Sequence, residues 1–154
     1  MTLALFIVLV LGCGIAIGFA CPPGDWYAHL QKPSFNPPKW AFAPAWTVLY
    51  VLIAIAGWRT FEYGSGAAFG VWLAQLAVNF AWSPTFFRAH RGDLAFALIV
   101  ALLALIIVFI ALQWTADRTA ALLFMPYAAW VAYASALNAA LLLLNAQALR
   151  GSGV

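Results

Sequence analysis

The sequence predicts an all-α membrane protein, a five-transmembrane-helix bundle that forms a single domain over residues 1–154. Two observations lead to this fold class. Hydrophobic residues make up 67% of the chain and charged residues only 7%, with a mean hydropathy of +0.99, whereas globular proteins average roughly 25% charged residues. The apolar residues also fall into five segments, each near the roughly 20 residues that a helix needs to cross a bilayer. These segments occupy nearly the whole chain, which leaves no length for a separate soluble domain.

The five predicted helices are separated by short polar stretches and one proline-rich loop. The first has no basic residue ahead of its apolar run, so we interpret it as an uncleaved helix rather than a signal peptide. Pro44 suits the first turn of the second helix, and Asp93 suits the N-cap of the fourth. Thr115 or Asp117 suits the N-cap of the fifth. The predicted helices are about 3–20, 44–62, 67–87, 93–114 and 119–148, with a structured Pro/Trp-rich loop at 21–43.

Basic residues are distributed unequally between the two ends of these helices. Five crossings place the termini on opposite sides of the membrane. The side of the first loop carries Lys32, Lys39, Arg88, Arg91 and Arg150, and the other side carries Arg59 and Arg118. Because Lys and Arg favour the cytoplasmic side, we expect the N-terminus outside and the C-terminus in the cytoplasm.

Several classes of function lack support in the residues. The net charge of +3 is scattered, without the basic stripe that nucleic-acid binding requires. No acidic residue lies at the middle of a predicted span, which argues against an ion-driven transporter. No metal-ligand cluster, catalytic triad or phosphate loop is present. We therefore expect a binding protein that requires no metal and no covalently attached cofactor.

The third predicted helix has two contrasting faces. At 100° per residue, Trp72, Gln75, Asn79 and Trp82 share one side. The opposite side carries only small residues, Gly66, Gly70, Ala74, Ala77 and Ala81. A small-residue face lets helices approach closely in lipid, so it is either a packing face within the monomer or the seam of a homodimer.

Polar and aromatic side chains recur on the second and fifth helices. Trp46 and Tyr50 share a face of the second, and Tyr127, Ala134 and Asn138 lie close together on the fifth. Amides are costly in hydrocarbon, so we expect those of the third and fifth helices to point into the bundle. They are either interhelical hydrogen bonds or part of a ligand pocket.

Three ordered motifs resemble one family. DWYAHLQKPSFNPPKWAFAPAWTVLY (25–50), QLAVNFAWSPTFF (75–87) and PYAAWVAYASALN (126–138) are similar to signatures of the translocator protein / tryptophan-rich sensory protein (TspO/MBR) family. The resemblance implies a five-helix bundle, often dimeric, in a bacterial cell membrane. It also implies a pocket for porphyrins such as protoporphyrin IX, which in many members binds isoquinoline carboxamides and benzodiazepines.

The same resemblance assigns ligand-binding residues. These are Trp40, Trp46, Tyr50, Asn79, Trp82, Trp130, Ala134, Leu137 and Asn138. For Asn138 the matching motif position serves either helix packing or pocket lining. Trp46 and Trp130 match tryptophans that are linked in some members to light-dependent porphyrin degradation. Ala139 and Leu143 stand where the sterol motif of animal members requires tyrosine and arginine, so sterol binding is not expected through that motif.

The preferred hypothesis is a membrane receptor or transport-linked sensor for a tetrapyrrole. The ligand would stack on Trp46, Trp82 and Trp130, with Asn79 as its polar partner. Its carboxylates would approach Lys32 or Lys39, and loop 21–43 would cover the pocket with Trp40 and Trp46 turned inward. The alternatives are a light-dependent porphyrin-degrading enzyme that uses Trp46 and Trp130, and a porphyrin or lipid transporter. Loop 21–43 could also be a simple interfacial connector.

Overall fold

The computed structural model describes residues 2–146, in which the regular secondary structure is helical and no strand occurs. The all-α class is confirmed. Residues 147–148 of the last predicted helix, and Arg150, lie outside the described residues. The elements in chain order are α1 (Leu3–Ala20), α2 (Asp25–His29), α3 (Lys39–Tyr63), α4 (Gly66–Ser83), a π-helical turn (Pro84–Arg88), α5 (Gly92–Ala116) and α6 (Arg118–Leu144).

Four of the described helices, α1, α3, α5 and α6, are long and apolar enough to cross a membrane. The third predicted span is α4 with the π-helical turn, and it is not among these four. Two amides, Gln75 and Asn79, interrupt its apolar run, and both are buried, with exposed fractions of 0% and 5%. The predicted count of five spans is therefore not confirmed by length and composition.

Helix α3 begins at Lys39 and not near Pro44 as predicted. Pro38 is its N-cap, with extended φ and ψ of −63° and 146°. Two consecutive prolines prevent the helix from starting earlier, since proline disfavours the α region in the residue before it. Pro44 lies inside the helix, where it removes the hydrogen bond to the Trp40 carbonyl. The proline-rich stretch thus contributes its last residues to a spanning helix.

The helices pack around one apolar core. Helix α5 contacts both α4 and α6, while α3 contacts α1 and α6. Helices α3 and α4 pack closely at Gly57, where an added Cβ would overlap the Trp72 ring. The Trp72 indole Nε1 donates to the Ile53 carbonyl at 3.0 Å. This contact turns the predicted polar-aromatic face of α4 into the bundle, as expected.

A charged clamp closes the end of the bundle between α5 and α6. The Asp117 carboxylate accepts from the Thr119 and Ala120 backbone N–H groups and caps α6, so Asp117 is the N-cap. The Arg59 guanidinium donates to both Asp117 oxygens, at 2.8 and 3.0 Å. Burial would raise the pKa of the Asp117 carboxyl, but Arg59 and the backbone donors outweigh it and hold that pKa below its ordinary value.

At the other end, residues 21–38, here called the lid segment, are ordered by hydrogen bonds and ring contacts. The Lys32 ammonium donates to the carbonyls of Tyr27, Ala28 and Leu30 at 2.9–3.2 Å and closes the C-terminal end of α2. The Asn145 side chain of the α6 terminus accepts from the Gln31 N–H and donates to its carbonyl, at 2.8 and 2.9 Å. These contacts tie the segment to α2 and to the end of α6.

Candidate functional site

A cavity of about 530 Å³ lies between α1, α3, α4 and α6 on the side of the lid segment. This volume is within the range of about 300–1,000 Å³ typical of small-molecule sites. Its walls are mostly apolar, and Lys39 is the one charged side chain among the described residues that line it. Such a cavity suits a ligand that is largely apolar with one anionic end.

Aromatic rings from α3 and α6 form one wall. Trp46 and Tyr50 are one turn apart on α3, and their ring centroids are 5.3 Å apart. Trp130 of α6 meets Trp46 edge to face, at 6.5 Å and 83°, and Phe42 in a similar way at 6.1 Å. Rings in these arrangements offer both faces and edges to a flat aromatic ligand.

Rings of α4 and the π-helical turn form another part of the lining. Trp82 stacks on Phe86, with centroids 5.1 Å apart and an interplanar angle of 7°. Trp82 also packs in an apolar cluster with Leu137 and Leu141 of α6. The cluster includes Tyr27 and Leu30 of the lid segment, so this wall continues into the cover of the cavity.

A chain of hydrogen bonds crosses the bundle beside the cavity. The Tyr50 hydroxyl donates to Asn79 Oδ1 at 3.1 Å, and Asn79 Nδ2 donates to the Tyr127 hydroxyl at 2.7 Å. The Tyr127 hydroxyl donates in turn to Gln75 Oε1 at 3.0 Å. These bonds join α3, α4 and α6. The α4 amides therefore form interhelical hydrogen bonds, which was one of the two roles that the sequence predicted for them.

Two other polar side chains at the cavity have no partner among the described residues. Both amide atoms of Asn138 and the indole Nε1 of Trp82 are buried without a hydrogen bond. Asn138 is 2% exposed, and both residues line the cavity. Buried polar groups are nearly always hydrogen-bonded, so these atoms are among the exceptions in the part of the chain that the structure describes.

Comparison with known proteins identifies the family. Residues 6–144 match the TspO/MBR family. The chain belongs to the TspO/MBR family. It is 40% identical to Protein CrtK of Rhodobacter capsulatus, over 94% of this chain and 95% of that protein. It is 37% identical to the tryptophan-rich sensory protein of Cereibacter sphaeroides, over 92% of each chain. It is also 32% identical to the human translocator protein, over 83% of this chain and 80% of that protein. Family membership and four apolar helices together identify a membrane protein.

The cavity of this TspO/MBR protein brings together most of the residues expected to bind ligand. The lining includes eight of them, Trp46, Tyr50, Asn79, Trp82, Trp130, Ala134, Leu137 and Asn138. Trp40 is not in the lining, and its side chain is 76% exposed, so the expected inward orientation of Trp40 is wrong. Lys39 lines the cavity, whereas the Lys32 ammonium is engaged by three backbone carbonyls.

The small-residue face of α4 points away from the bundle. Gly66, Gly70, Ala74, Ala77 and Ala81 are all exposed. A Cβ added at Gly66 or Gly70 would meet nothing within 4 Å. The face is therefore not a packing face within the monomer. Its other predicted role, the seam of a homodimer, stays a prediction.

Sequence reasoning missed the contribution of α1 to the cavity. Gly14 and Gly18 both line it, and a Cβ at Gly14 would overlap the Tyr50 ring. Their GxxxG spacing was visible, but such spacing indicates close helix packing and says nothing of a ligand. Phe86 was also missed, because a π-helical turn changes the angular register that helical periodicity assumes.

Proposed function

We propose that this protein is an integral membrane receptor or transport-linked sensor for a flat tetrapyrrole such as protoporphyrin IX. The cavity carries this proposal. Its walls present Trp46, Trp82 and Trp130, and its charged lining residue is Lys39. A porphyrin has a wide aromatic face for the indoles and carboxylates for an ammonium group. Flat isoquinoline carboxamide or benzodiazepine drugs would occupy the same walls.

Binding is tested by titrating the purified protein with protoporphyrin IX and following quenching of tryptophan fluorescence. The double variant Trp46→Ala, Trp130→Ala removes the α3 and α6 wall and should weaken binding by at least about tenfold, given about 1–3 kcal/mol for each ring that stacks on a ligand. Trp40→Ala is the matched control, since it removes an indole that lies outside the lining. Unchanged affinity in the double variant would refute the assigned site.

A second candidate function is light-dependent oxidation of bound porphyrin by dioxygen. The adjacent Trp46 and Trp130 rings, 6.5 Å apart, favour it, because both would lie beside the bound macrocycle. The test follows porphyrin absorbance under illumination in air. Loss at the same rate with Trp130→Phe or with heat-denatured protein would rule the activity out.

We propose that α4 with the π-helical turn also crosses the membrane, which brings the number of spans to five. Its two amides are buried, so they do not need to face lipid. Counting α4 as a span places Lys32, Lys39, Arg88 and Arg91 on one side, which favours a cytoplasmic C-terminus. A C-terminal reporter that is active only in the cytoplasm tests this, and an active periplasmic reporter at that position would contradict it.

The homodimer would form through the exposed small-residue face of α4. Gly70→Leu should shift the detergent-solubilised protein towards monomer, because a large side chain there would keep two helices apart. Gly12→Leu is the matched control, since a Cβ at Gly12 also meets nothing within 4 Å but lies on α1. Equal molecular masses for the two variants in light scattering would argue against this seam.

A further inference from the structure

We infer that the cavity opens sideways into the bilayer between α1 and α3, and that its ligand is a membrane-dissolved amphiphile that enters there with its anionic end at Lys39. The inference rests on the proposed function in that it concerns the same cavity as a ligand site. The opening itself is a property of the protein alone, so it can be tested with any small apolar molecule.

The exposed residues of the cavity lining all lie along one side of the cavity. The lining residues of α4, α5 and α6 are buried or partly buried, and Ile99, Leu102 and Val131 are among the most buried. The exposed lining residues belong instead to the last turns of α1, the start of the lid segment and the first turns of α3. They are Ile15, Gly18, Phe19, Pro23, Lys39, Ala43 and Thr47.

Helices α1 and α3 are in contact away from the lid segment and separate nearer to it. At Gly14 an added Cβ would overlap the Tyr50 ring, so the two helices touch there. One turn further along α1, a Cβ at Gly18 would meet nothing within 4 Å, although Gly18 lines the cavity. The gap between the two helices therefore begins between these glycines and lies on the side of the lid segment.

This gap faces lipid, because α1 and α3 are both long and apolar enough to cross the membrane. On the α1 edge, Ile15 and Phe19 are 55% and 84% exposed. On the α3 edge, Ala43 and Thr47 are exposed, and the Thr47 hydroxyl donates to the Ala43 carbonyl at 2.8 Å. That bond satisfies the hydroxyl within its own helix. Both edges of the gap are therefore compatible with hydrocarbon.

The lid segment closes the other route into the cavity. Tyr27 and Leu30 are buried in one apolar cluster with Leu141 of α6. The Gln31 backbone exchanges two hydrogen bonds with the Asn145 side chain, at 2.8 and 2.9 Å. A ligand that arrives beneath the lid segment must break these contacts, and a ligand that enters between α1 and α3 breaks none of them. The contacts therefore favour the lateral route.

The position of Lys39 defines the kind of ligand that fits this entrance. Lys39, Ala43 and Thr47 are four residues apart, so they follow one another along the same edge of α3. Lys39 is the first residue of that helix, and lysines at the ends of spanning helices extend toward the membrane interface. An amphiphile can therefore move its apolar part past Ala43 and Thr47 while its anionic end stays at Lys39. Protoporphyrin IX has this form, since both of its carboxylates lie on one edge of an apolar ring.

Photolabelling with a small apolar reagent tests the opening without any porphyrin. Trifluoromethyl-(iodophenyl)diazirine dissolves in lipid, and light converts it to a carbene that inserts into side chains nearby. The full-length protein is labelled in liposomes, and the labelled residues are mapped by mass spectrometry. We expect label on cavity residues such as Trp46, Trp130 and Leu137, as well as on Val100 and Ile107, which are exposed on α5 outside the cavity. Label confined to the α5 residues would overturn the inference.

A bulky side chain in the gap should close it. Gly18→Phe should remove most of the label from the cavity residues and leave the label on Ile107 unchanged. Gly12→Phe is the matched control, since Gly12 is also exposed on α1 with nothing within 4 Å of an added Cβ, but it does not line the cavity. Ala43→Phe narrows the gap from the α3 edge and serves in place of Gly18→Phe if that variant does not fold. Cavity label that persists in these two variants would overturn the assigned entrance.

Loosening the lid segment distinguishes the two routes. Asn145→Ala removes both hydrogen bonds to Gln31. Entry between α1 and α3 predicts the same cavity label as in wild type. More label in Asn145→Ala, together with no loss of label in Gly18→Phe, would show entry beneath the lid segment and overturn the inference.

The role of Lys39 is tested by comparing protoporphyrin IX with its dimethyl ester, which has the same ring and no carboxylate. Lys39→Gln should weaken binding of the acid several-fold and leave binding of the ester unchanged, because only the acid can pair with an ammonium group. An equal effect on the two compounds would overturn the placement of the anionic end.

Rapid mixing with protoporphyrin IX lets the opening and the proposed function fail separately. Quenching of tryptophan fluorescence should be several-fold slower in Gly18→Phe than in Gly12→Phe. A cavity that takes up the diazirine but binds no porphyrin would refute the proposed function and support the opening. A cavity that binds porphyrin at equal rates in both variants and takes up no diazirine would overturn the opening and support the proposed function.

Discussion

Replacing Tyr127 by phenylalanine tests the hydrogen-bond chain that joins α3, α4 and α6. The Tyr127 side chain is fully buried, and its hydroxyl accepts from Asn79 Nδ2 at 2.7 Å and donates to Gln75 Oε1 at 3.0 Å. Tyr127→Phe keeps the ring and removes both bonds. The Gln75 amide would then have no partner, because its Nε2 already lacks one.

The expected loss in the free energy of unfolding follows from these contacts. Hydrogen bonds between membrane helices average about 0.6 kcal/mol, which sets a lower limit of about 1 kcal/mol for two bonds. A buried polar group left without a partner costs about 1–3 kcal/mol, and the variant creates two such groups. We therefore expect a destabilisation of about 2 kcal/mol, measured by reversible unfolding in mixed micelles.

Two further variants make this measurement specific. Tyr133→Phe is the matched control, since its hydroxyl makes a single, exposed bond to the Phe35 carbonyl of the lid segment. It should cost less than about 1 kcal/mol. Adding Gln75→Leu to Tyr127→Phe should recover part of the loss, because the unpartnered amide is removed. Stability of Tyr127→Phe within about 0.5 kcal/mol of wild type would refute the assigned network, because this is below the lower limit worked out for the two lost bonds.

Three other predictions concern single contacts. The folded-state pKa of Asp117 is below its unfolded value of about 3.9, so the stabilisation that Asp117 contributes is complete above that pH and is lost as the pH falls through the folded pKa. Arg59→Met should therefore reduce the loss of stability between pH 7 and 3. An unchanged loss would contradict the clamp. Lys39→Gln should weaken porphyrin binding several-fold and make the remaining affinity insensitive to salt. Lys32→Gln should instead speed proteolysis of the lid segment. The reverse pattern of effects would exchange the roles of the two lysines. Gly57→Ala should destabilise the fold by about 1–3 kcal/mol, because its Cβ overlaps a buried indole, and a thermal midpoint equal to wild type would show that the helices can separate there.

The face of α4 could be predicted from sequence because helical rotation alone decides it. Trp72, Gln75 and Asn79 are three and four residues apart, which keeps them on one side, and all three are buried. The clustering of aromatic and amide residues from three helices was likewise predictable. Amides cannot face lipid, so each helix has one permitted orientation.

The position of Trp40 could not be predicted, because it depends on where α3 begins. With a helix that starts near Pro44, Trp40 belongs to a loop and can turn toward Trp46. The structure starts the helix at Lys39, so Trp40 is six residues before Trp46 in a continuous helix and lies about 120° around it. Both starting points satisfy the conformational rules for proline, since Pro38 and Pro44 each suit a first turn or the residue before it.

The choice of hydrogen-bond partners was also beyond the sequence. The sequence does not distinguish Asn79 from Asn138, since each is a buried amide on an inward helix face. Only the three-dimensional arrangement separates them. Asn79 meets two tyrosine hydroxyls from other helices, and Asn138 meets none. The same residue type is therefore part of an interhelical hydrogen-bond chain in one case and without a partner among the described residues in the other.

Polar contacts of this kind explain how the interior of the bundle can be stable and still contain a cavity. Lipid tails are as apolar as the side chains, so no hydrophobic free energy is gained when helices associate within the bilayer. Polar contacts and close packing hold the helices together instead. The Tyr50–Asn79–Tyr127–Gln75 chain and the Arg59–Asp117 clamp do this on the side of the cavity away from the lid segment. The cavity lies on the side nearest the lid segment, where Trp82 packs in the cluster that also contains Tyr27 and Leu30. A ligand in the cavity would contact α4, α6 and the lid segment, so binding should stabilise that end of the bundle more than the clamped end. Hydrogen exchange should therefore slow most on the lid segment and the last turns of α6, and a uniform slowing across all helices would contradict this division.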